Sequence, residues 1–99
     1  MKSKFLFSLF CLLYSVHTVA AELSVGAKIA DERCASCHGN KGTGRLDEFP
    51  NLKGQKLKYL IKELLAFQNG TRKDPVMEAI TQSLSKEEIS EVANHYSKQ

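Results

Sequence analysis

Cys34-Ala35-Ser36-Cys37-His38 is the stretch of this 99-residue chain whose reading decides the fold. Two thiols three positions apart, with an imidazole directly after the second, form the attachment signature of a covalently bound haem c. The spacing has a chemical reason. Each thiol adds across one vinyl group of the porphyrin to give a thioether, and the adjacent His38 then ligates the iron from the proximal side. Residues three apart are neighbours on a helical turn, so Cys34 and Cys37 present both sulfurs on one face. Two other readings attach to the same residues: a Cys-x-x-Cys redox pair, and half of a zinc site. Zinc usually wants a second Cys/His pair, which the chain does not offer. A thioredoxin-like pair wants a βαβ pattern around it, and none is visible.

Upstream, Lys2 and Lys4 precede an apolar stretch from Phe5 to Val16, and small residues follow up to Ala20 and Ala21. This layout predicts a secretory signal over residues 1–21, cleaved after Ala20 or Ala21, and one domain over residues 22–99 in the periplasm. The competing reading is an uncleaved anchor. The apolar stretch is about a dozen residues long and contains Ser8 and Ser15, whereas a spanning helix needs about 20. Cys11 lies inside that stretch behind Phe10, so no small-residue lipidation site precedes it, and it leaves with the signal.

A domain this short lies near the lower limit of what a hydrophobic core stabilises unaided, and a covalent haem would staple it. After processing only Cys34 and Cys37 are left of the three cysteines, and an unmodified pair outside the cytoplasm would tend to oxidise. Two of the fourteen basic residues fall in the signal, while all eleven acids lie at or beyond Glu22. The processed chain is therefore close to neutral. No nucleic-acid partner is implied by its charge, and no stretch resembles a nucleic-acid-binding module.

The pattern beyond residue 22 is helical throughout. A first helix is predicted over Leu23 to Cys37, with Ser24 as a cap and Gly26, Ala27 and Ala30 as small surface residues. Gly39 to Gly44 is a glycine-rich loop, and Phe49-Pro50-Asn51-Leu52 is extended because a residue before proline avoids the helical region. Leu57, Leu60, Ile61, Leu64 and Leu65 form the stripe of a helix from about Gln55 to Asn69, stopped at Gly70. A short helix follows from Pro75 or Met77 to Ser83. Ser85 with Glu88 makes a capping box for the last helix, whose buried face is Ile89, Val92, Ala93 and Tyr96.

The occupant of the distal iron position decides what such a haem can do. Strong donors are few: His95, Met77 and some lysines. His95 lies beside Tyr96 on the last helix, where it reads first as a helix-surface histidine and only second as a ligand. Met77 is the only methionine after processing and stands 39 residues past His38, far enough for the chain to return round the haem edge. A lone methionine can also be core filler. His/Met ligation would raise the reduction potential and close the position where oxygen or peroxide binds.

At these residues the chain resembles the class I c-type cytochromes, especially the small bacterial monohaem kind. The resemblance runs through Gly26 to Ala30, Cys34 to Gly39, Phe49-Pro50-Asn51-Leu52, Gly54-Gln55 and Tyr59-Leu60. It continues through Phe67 to Arg72, Met77, and Leu84-Ser85 to Tyr96. It implies an all-α, compact cytochrome c-like fold of about four helices around one covalently bound haem c, with first and last helices crossing closely. Gly26 and Ala30 facing Tyr96 would supply that contact. It further implies that the Pro50 carbonyl accepts a hydrogen bond from the His38 ring and that Leu52 packs on the haem. Tyr59 would either reach a propionate or stand exposed; Arg72 would either pair with a propionate or be a solvated loop cation. The chain departs from some relatives in having no tryptophan, which leaves propionate burial open.

The leading expectation is a non-enzymatic periplasmic single-electron carrier, monomeric or weakly oligomeric, that binds no small-molecule substrate. It would serve a redox protein donor and acceptor, membrane-bound complexes among them. Lys53, Lys56 and Lys58 would steer an acidic partner or form an ordinary solvated face. The alternative is a haem c electron-accepting subunit of a larger redox enzyme. A gas-binding or peroxidase protein would need an open distal site, and a thiol oxidoreductase would need both thiols free.

Overall fold

The computed structural model describes residues 24–99, so the expected signal segment, its cleavage site and Cys11 lie outside the described residues. Helix α1 (Val25–Ile29) starts at Ser24, whose hydroxyl accepts a hydrogen bond from the Ala27 N–H at 3.1 Å. It runs without a break into a π-helical turn (Ala30–Cys34) and then α2 (Ala35–His38). The expected single helix is therefore present, but with a wide turn in its middle. One extra residue in a turn rotates everything beyond it by about 100°. That rotation lets Ile29 and Ala30 stay in the core while Cys34, Cys37 and His38 turn into a cavity.

Helix α3 (Leu57–Asn69) begins two residues later than the sequence predicts and ends where expected, at Gly70 in the left-handed region with φ 81°. Glycine reaches that conformation without a Cβ clash, which is why it stops the helix. Leu60 is buried and Ile61, Leu64 and Leu65 pack against the core. Leu57, expected in the same stripe, is exposed because it stands in the first turn, outside the packed region.

Helix α4 (Pro75–Gln82) has proline in its first turn and Asp74 as cap, accepting from the Val76 and Met77 N–H groups at 3.0 Å each. Proline suits this position because its missing N–H would have no helical partner there. Helix α5 (Lys86–Ser97) opens with the reciprocal Ser85–Glu88 capping box. Its buried face is Ile89, Val92, Ala93 and Tyr96, as its spacing predicts.

Among the described residues there is no strand, and no helix is long and apolar enough to cross a membrane. The core sits where α1 crosses α5 and α3 closes over them. Gly26 sets the approach: a methyl group there would collide with the Glu91 carbonyl and stand 3.3 Å from the His95 Cβ. Its contact is thus one turn earlier on α5 than the expected Tyr96. Ala30, fully buried, shares the core cluster with Tyr96.

Candidate functional site

A cavity of about 560 Å³ opens between α2, the loop that follows it, α3, α4 and α5. Cys34, Cys37 and His38 line it on one side and Met77 and Ile80 on another. Leu52, Leu60, Leu64, Phe67 and Val92 supply apolar wall, and Tyr59, Glu63, Arg72 and Asp74 also line it. A volume of several hundred Å³, mostly apolar with a few polar groups, is what a cofactor-sized ligand requires.

His38 is buried, and its orientation is fixed. Nδ1 lies 3.0 Å from the Pro50 carbonyl oxygen, so this nitrogen donates and Nε2 is left with its lone pair. Phe49 meets the ring edge-on, centroids 6.3 Å apart. The loop that carries Pro50 is itself tied down. Leu52 and Lys53 N–H groups donate to the Gly42 carbonyl, the Gly44 N–H donates to Asn51 Oδ1 at 2.7 Å, and the Gly54 N–H donates to the Tyr96 carbonyl. Tyr96 closes the other end by donating its hydroxyl to the Gly39 carbonyl at 3.0 Å.

Cys34 and Cys37 are free thiols, both half-buried. Burial pushes the Cys34 thiol up to about 11, opposed by the Arg33 charge and a hydrogen bond with Tyr96. Burial likewise raises the Tyr96 phenol above its ordinary range, with Cys34 adding to the effect. Both groups therefore keep their protons at neutral pH. Among the described residues no three His, Cys, Asp or Glu side chains gather to hold a metal ion.

Met77 is half-buried in the cavity wall. His95, the other candidate donor, does not line the cavity: its Nε2 hydrogen-bonds the Asn40 carbonyl at 3.0 Å. Leu52 packs against the core and the cavity, and Tyr59 lines the rim while half-exposed. Arg72 pairs with Glu63 at 2.8 Å and lies over the Phe67 ring, 4.5 Å from its centroid. Lys53, Lys56 and Lys58 are exposed and outside the cavity lining.

Sequence reasoning missed several of these groups. Gln68 reaches one carbonyl in the last turn of α4 and one just beyond it, and Arg33 bonds Ser83; neither has a local signal. The Asp74-Pro75 pair did carry one, since an acidic cap before a first-turn proline marks a helix start.

Two free thiols, an oriented imidazole and a thioether around one apolar cavity fit haem c. The comparisons agree. The model of the family described as cytochrome c oxidase, cbb3-type, subunit III, matches residues 21–95, and the chain belongs to this family of c-type cytochromes. Cytochrome c-554(548) of Halomonas halodenitrificans is 39% identical to it, over 67% of this chain and 83% of that protein. The thiosulfate dehydrogenase electron acceptor of Stutzerimonas stutzeri is 41% identical, over 64% of this chain and 31% of that one. The solved cytochrome c4 of Acidithiobacillus ferrooxidans superposes with a TM-score of 0.66 at 32% identity, over 77% of this chain and 51% of that one. The chain therefore spans most of the first relative, about a third of the second and half of the solved structure. It is an electron-transfer cytochrome of class I, and covalently bound haem c is its cofactor.

Proposed function

We propose that residues 22–99 act as a monohaem single-electron carrier in the periplasm, after a signal over residues 1–21 is cleaved following Ala20 or Ala21. Cys34 and Cys37 are the attachment thiols, His38 the proximal iron ligand and Met77 the distal one. One observation carries this assignment: the cavity is lined by those four residues together, while His95 is committed to the Asn40 carbonyl. The haem, when bound, supplies a one-electron couple whose potential a soft thioether ligand raises.

The chain's own residues do the rest. Pro50 holds the His38 ring by its Nδ1 proton, which fixes the tautomer and aims Nε2 into the cavity. Leu52, Leu64 and Phe67 exclude water from the cavity and keep its dielectric low. Arg72 neutralises Glu63 at the rim and stiffens α3's end against the loop, and Tyr59 offers a hydroxyl at the same rim. Were His38 and Met77 both to hold the iron, no substrate would have a place to react at it, which supports a carrier for a redox protein donor and acceptor rather than an enzyme. A second reading is favoured by the relative named as a thiosulfate dehydrogenase electron acceptor, of which this chain spans 31%. In it, the same domain would accept electrons inside a larger assembly.

The test is an absorption spectrum of the purified protein, oxidised and reduced, with and without carbon monoxide, beside Met77→Ala. Wild type should be low-spin and closed to carbon monoxide, while Met77→Ala binds it and has a lower potential. Ready binding by wild type would sink the Met77 assignment. An intact mass lacking the haem increment would sink the attachment, and its value also reports the cleavage point.

A further inference from the structure

We propose that Gln68 is a positioning residue for Met77, acting from α3 through the far end of α4. The inference rests on the reading of Met77 as the distal ligand. Gln68 Nε2 donates to the Thr81 carbonyl at 2.7 Å and to the Leu84 carbonyl at 2.8 Å, so both amide protons are used. These carbonyls lie in the last turn of α4 and just beyond it, where a helix runs out of its own i+4 donors; Thr81's also accepts from the Leu84 N–H at 3.1 Å, and Gln68 ties both to α3. Gln68 thereby caps a helix to which it does not belong.

Such a cap has consequences for Met77 because α4 is short. Eight residues do not hold a helix in water on their own, so its position is set by what grips its ends. Asp74 grips the first turn and donates no freedom to Met77, whose N–H it binds directly. Thr81, fully buried, passes the grip of the last turn back: its hydroxyl donates to the Met77 carbonyl at 2.8 Å and lies 3.2 Å from the Glu78 carbonyl. The Met77 peptide is thus held on its N–H side by Asp74 and on its carbonyl side by Thr81, and Thr81's own carbonyl is held by Gln68. A methionine side chain has three rotatable bonds and adapts easily, so the backbone must fix where its sulfur can go. Gln68 is the polar side chain of α3 that supplies this fixing from outside α4.

The experiment uses the haem-loaded protein and four variants: Gln68→Leu, Thr81→Val, Met77→Ala and Ile89→Val. Carbon monoxide binding to the ferrous form, reduction potential and Tm are measured on each. In Gln68→Leu carbon monoxide should bind about tenfold faster than in wild type, because the fraction of molecules with Met77 displaced grows. The potential should fall toward that of Met77→Ala. Thr81→Val, which keeps the side-chain shape and removes only the hydroxyl, should move both readouts the same way by less. Ile89→Val should lower Tm and leave both unchanged. If Gln68→Leu and Thr81→Val lower Tm yet leave carbon monoxide binding and potential at wild-type values, while Met77→Ala opens the site, Gln68 is structural only and the proposal is overturned. If wild type and Met77→Ala bind carbon monoxide alike, the distal assignment itself fails and takes the proposal with it.

Discussion

His38 Nδ1 stands 3.0 Å from the carbonyl oxygen of Pro50, twelve residues further along the chain. The loop that carries that carbonyl is tied down by hydrogen bonds as well as by Phe49 and Leu52. The Gly44 N–H to Asn51 Oδ1 bond, next to Pro50, closes the tightest part of it.

Replacing Asn51 with alanine should loosen the carbonyl without touching His38. A hydrogen bond to Nδ1 makes an imidazole a stronger donor and favours ferric iron, so its weakening should raise the reduction potential. Stability should fall by about 1 kcal/mol, the net worth of one such bond. A redox titration beside thermal unfolding reads both; a lowered potential would contradict the account.

Gly26 should be intolerant of any side chain. A methyl group there meets the Glu91 carbonyl, which is backbone and cannot swing away. Gly26→Ala normally gains about 1 kcal/mol inside a helix, yet here α1 must retreat from α5, at a cost of about 1–3 kcal/mol for overpacking. Thermal unfolding of the haem-loaded protein should show a lower Tm, and an unchanged or higher one would show that the helices can part freely.

Much of this was legible in the sequence because it was local. The Ser85–Glu88 box, the stop at Gly70 and the apolar spacing of Ile89, Val92, Ala93 and Tyr96 each report on neighbours within a turn or two. The Cys34, Cys37 and His38 cluster was legible for the same reason. What failed to show was long-range. The π turn over Ala30–Cys34 leaves no mark in composition, because it answers to a cavity built by α3 and α4. Leu57 reads as core by spacing and is exposed because nothing packs opposite the first turn. Arg72's pairing with Glu63 and its place over the Phe67 face, at the cavity lining, depend on how the loop after α3 folds back, which spacing alone does not give.

Arg72 separates two small energies by their response to salt. Its pair with Glu63 is partly exposed and worth about 0–1 kcal/mol, screened at high ionic strength. Its stacking on Phe67 is worth about 0.5–1 kcal/mol and is less sensitive. Arg72→Leu should therefore cost about 1 kcal/mol at low salt and less, though not nothing, in 1 M salt. Chemical unfolding in urea at both ionic strengths measures the difference, and an identical cost at the two would assign Arg72 to packing alone.

Tyr96 makes the sharpest pH prediction. It is buried, its hydroxyl donates to the Gly39 carbonyl directly after His38, and burial raises its phenol above the ordinary value of 10.0. A raised folded-state value means the folded protein holds the proton longer than the unfolded chain. The stabilisation is complete below pH 10 and is lost as pH rises from there through the folded-state value. Tyr96→Phe leaves the Gly39 carbonyl without this donor and should cost about 1–3 kcal/mol at neutral pH, with Tm falling about 4–8 °C per kcal/mol. Above pH 10 the gap between wild type and Tyr96→Phe should narrow, because only wild type has this proton to lose. Since Tyr96 anchors the side of the cavity that carries His38, Tyr96→Phe should leave the ferrous protein closed to carbon monoxide while it lowers Tm. A gap that widened above pH 10 would mean that the phenol ionises more readily folded than unfolded, and that the wall around it is wet.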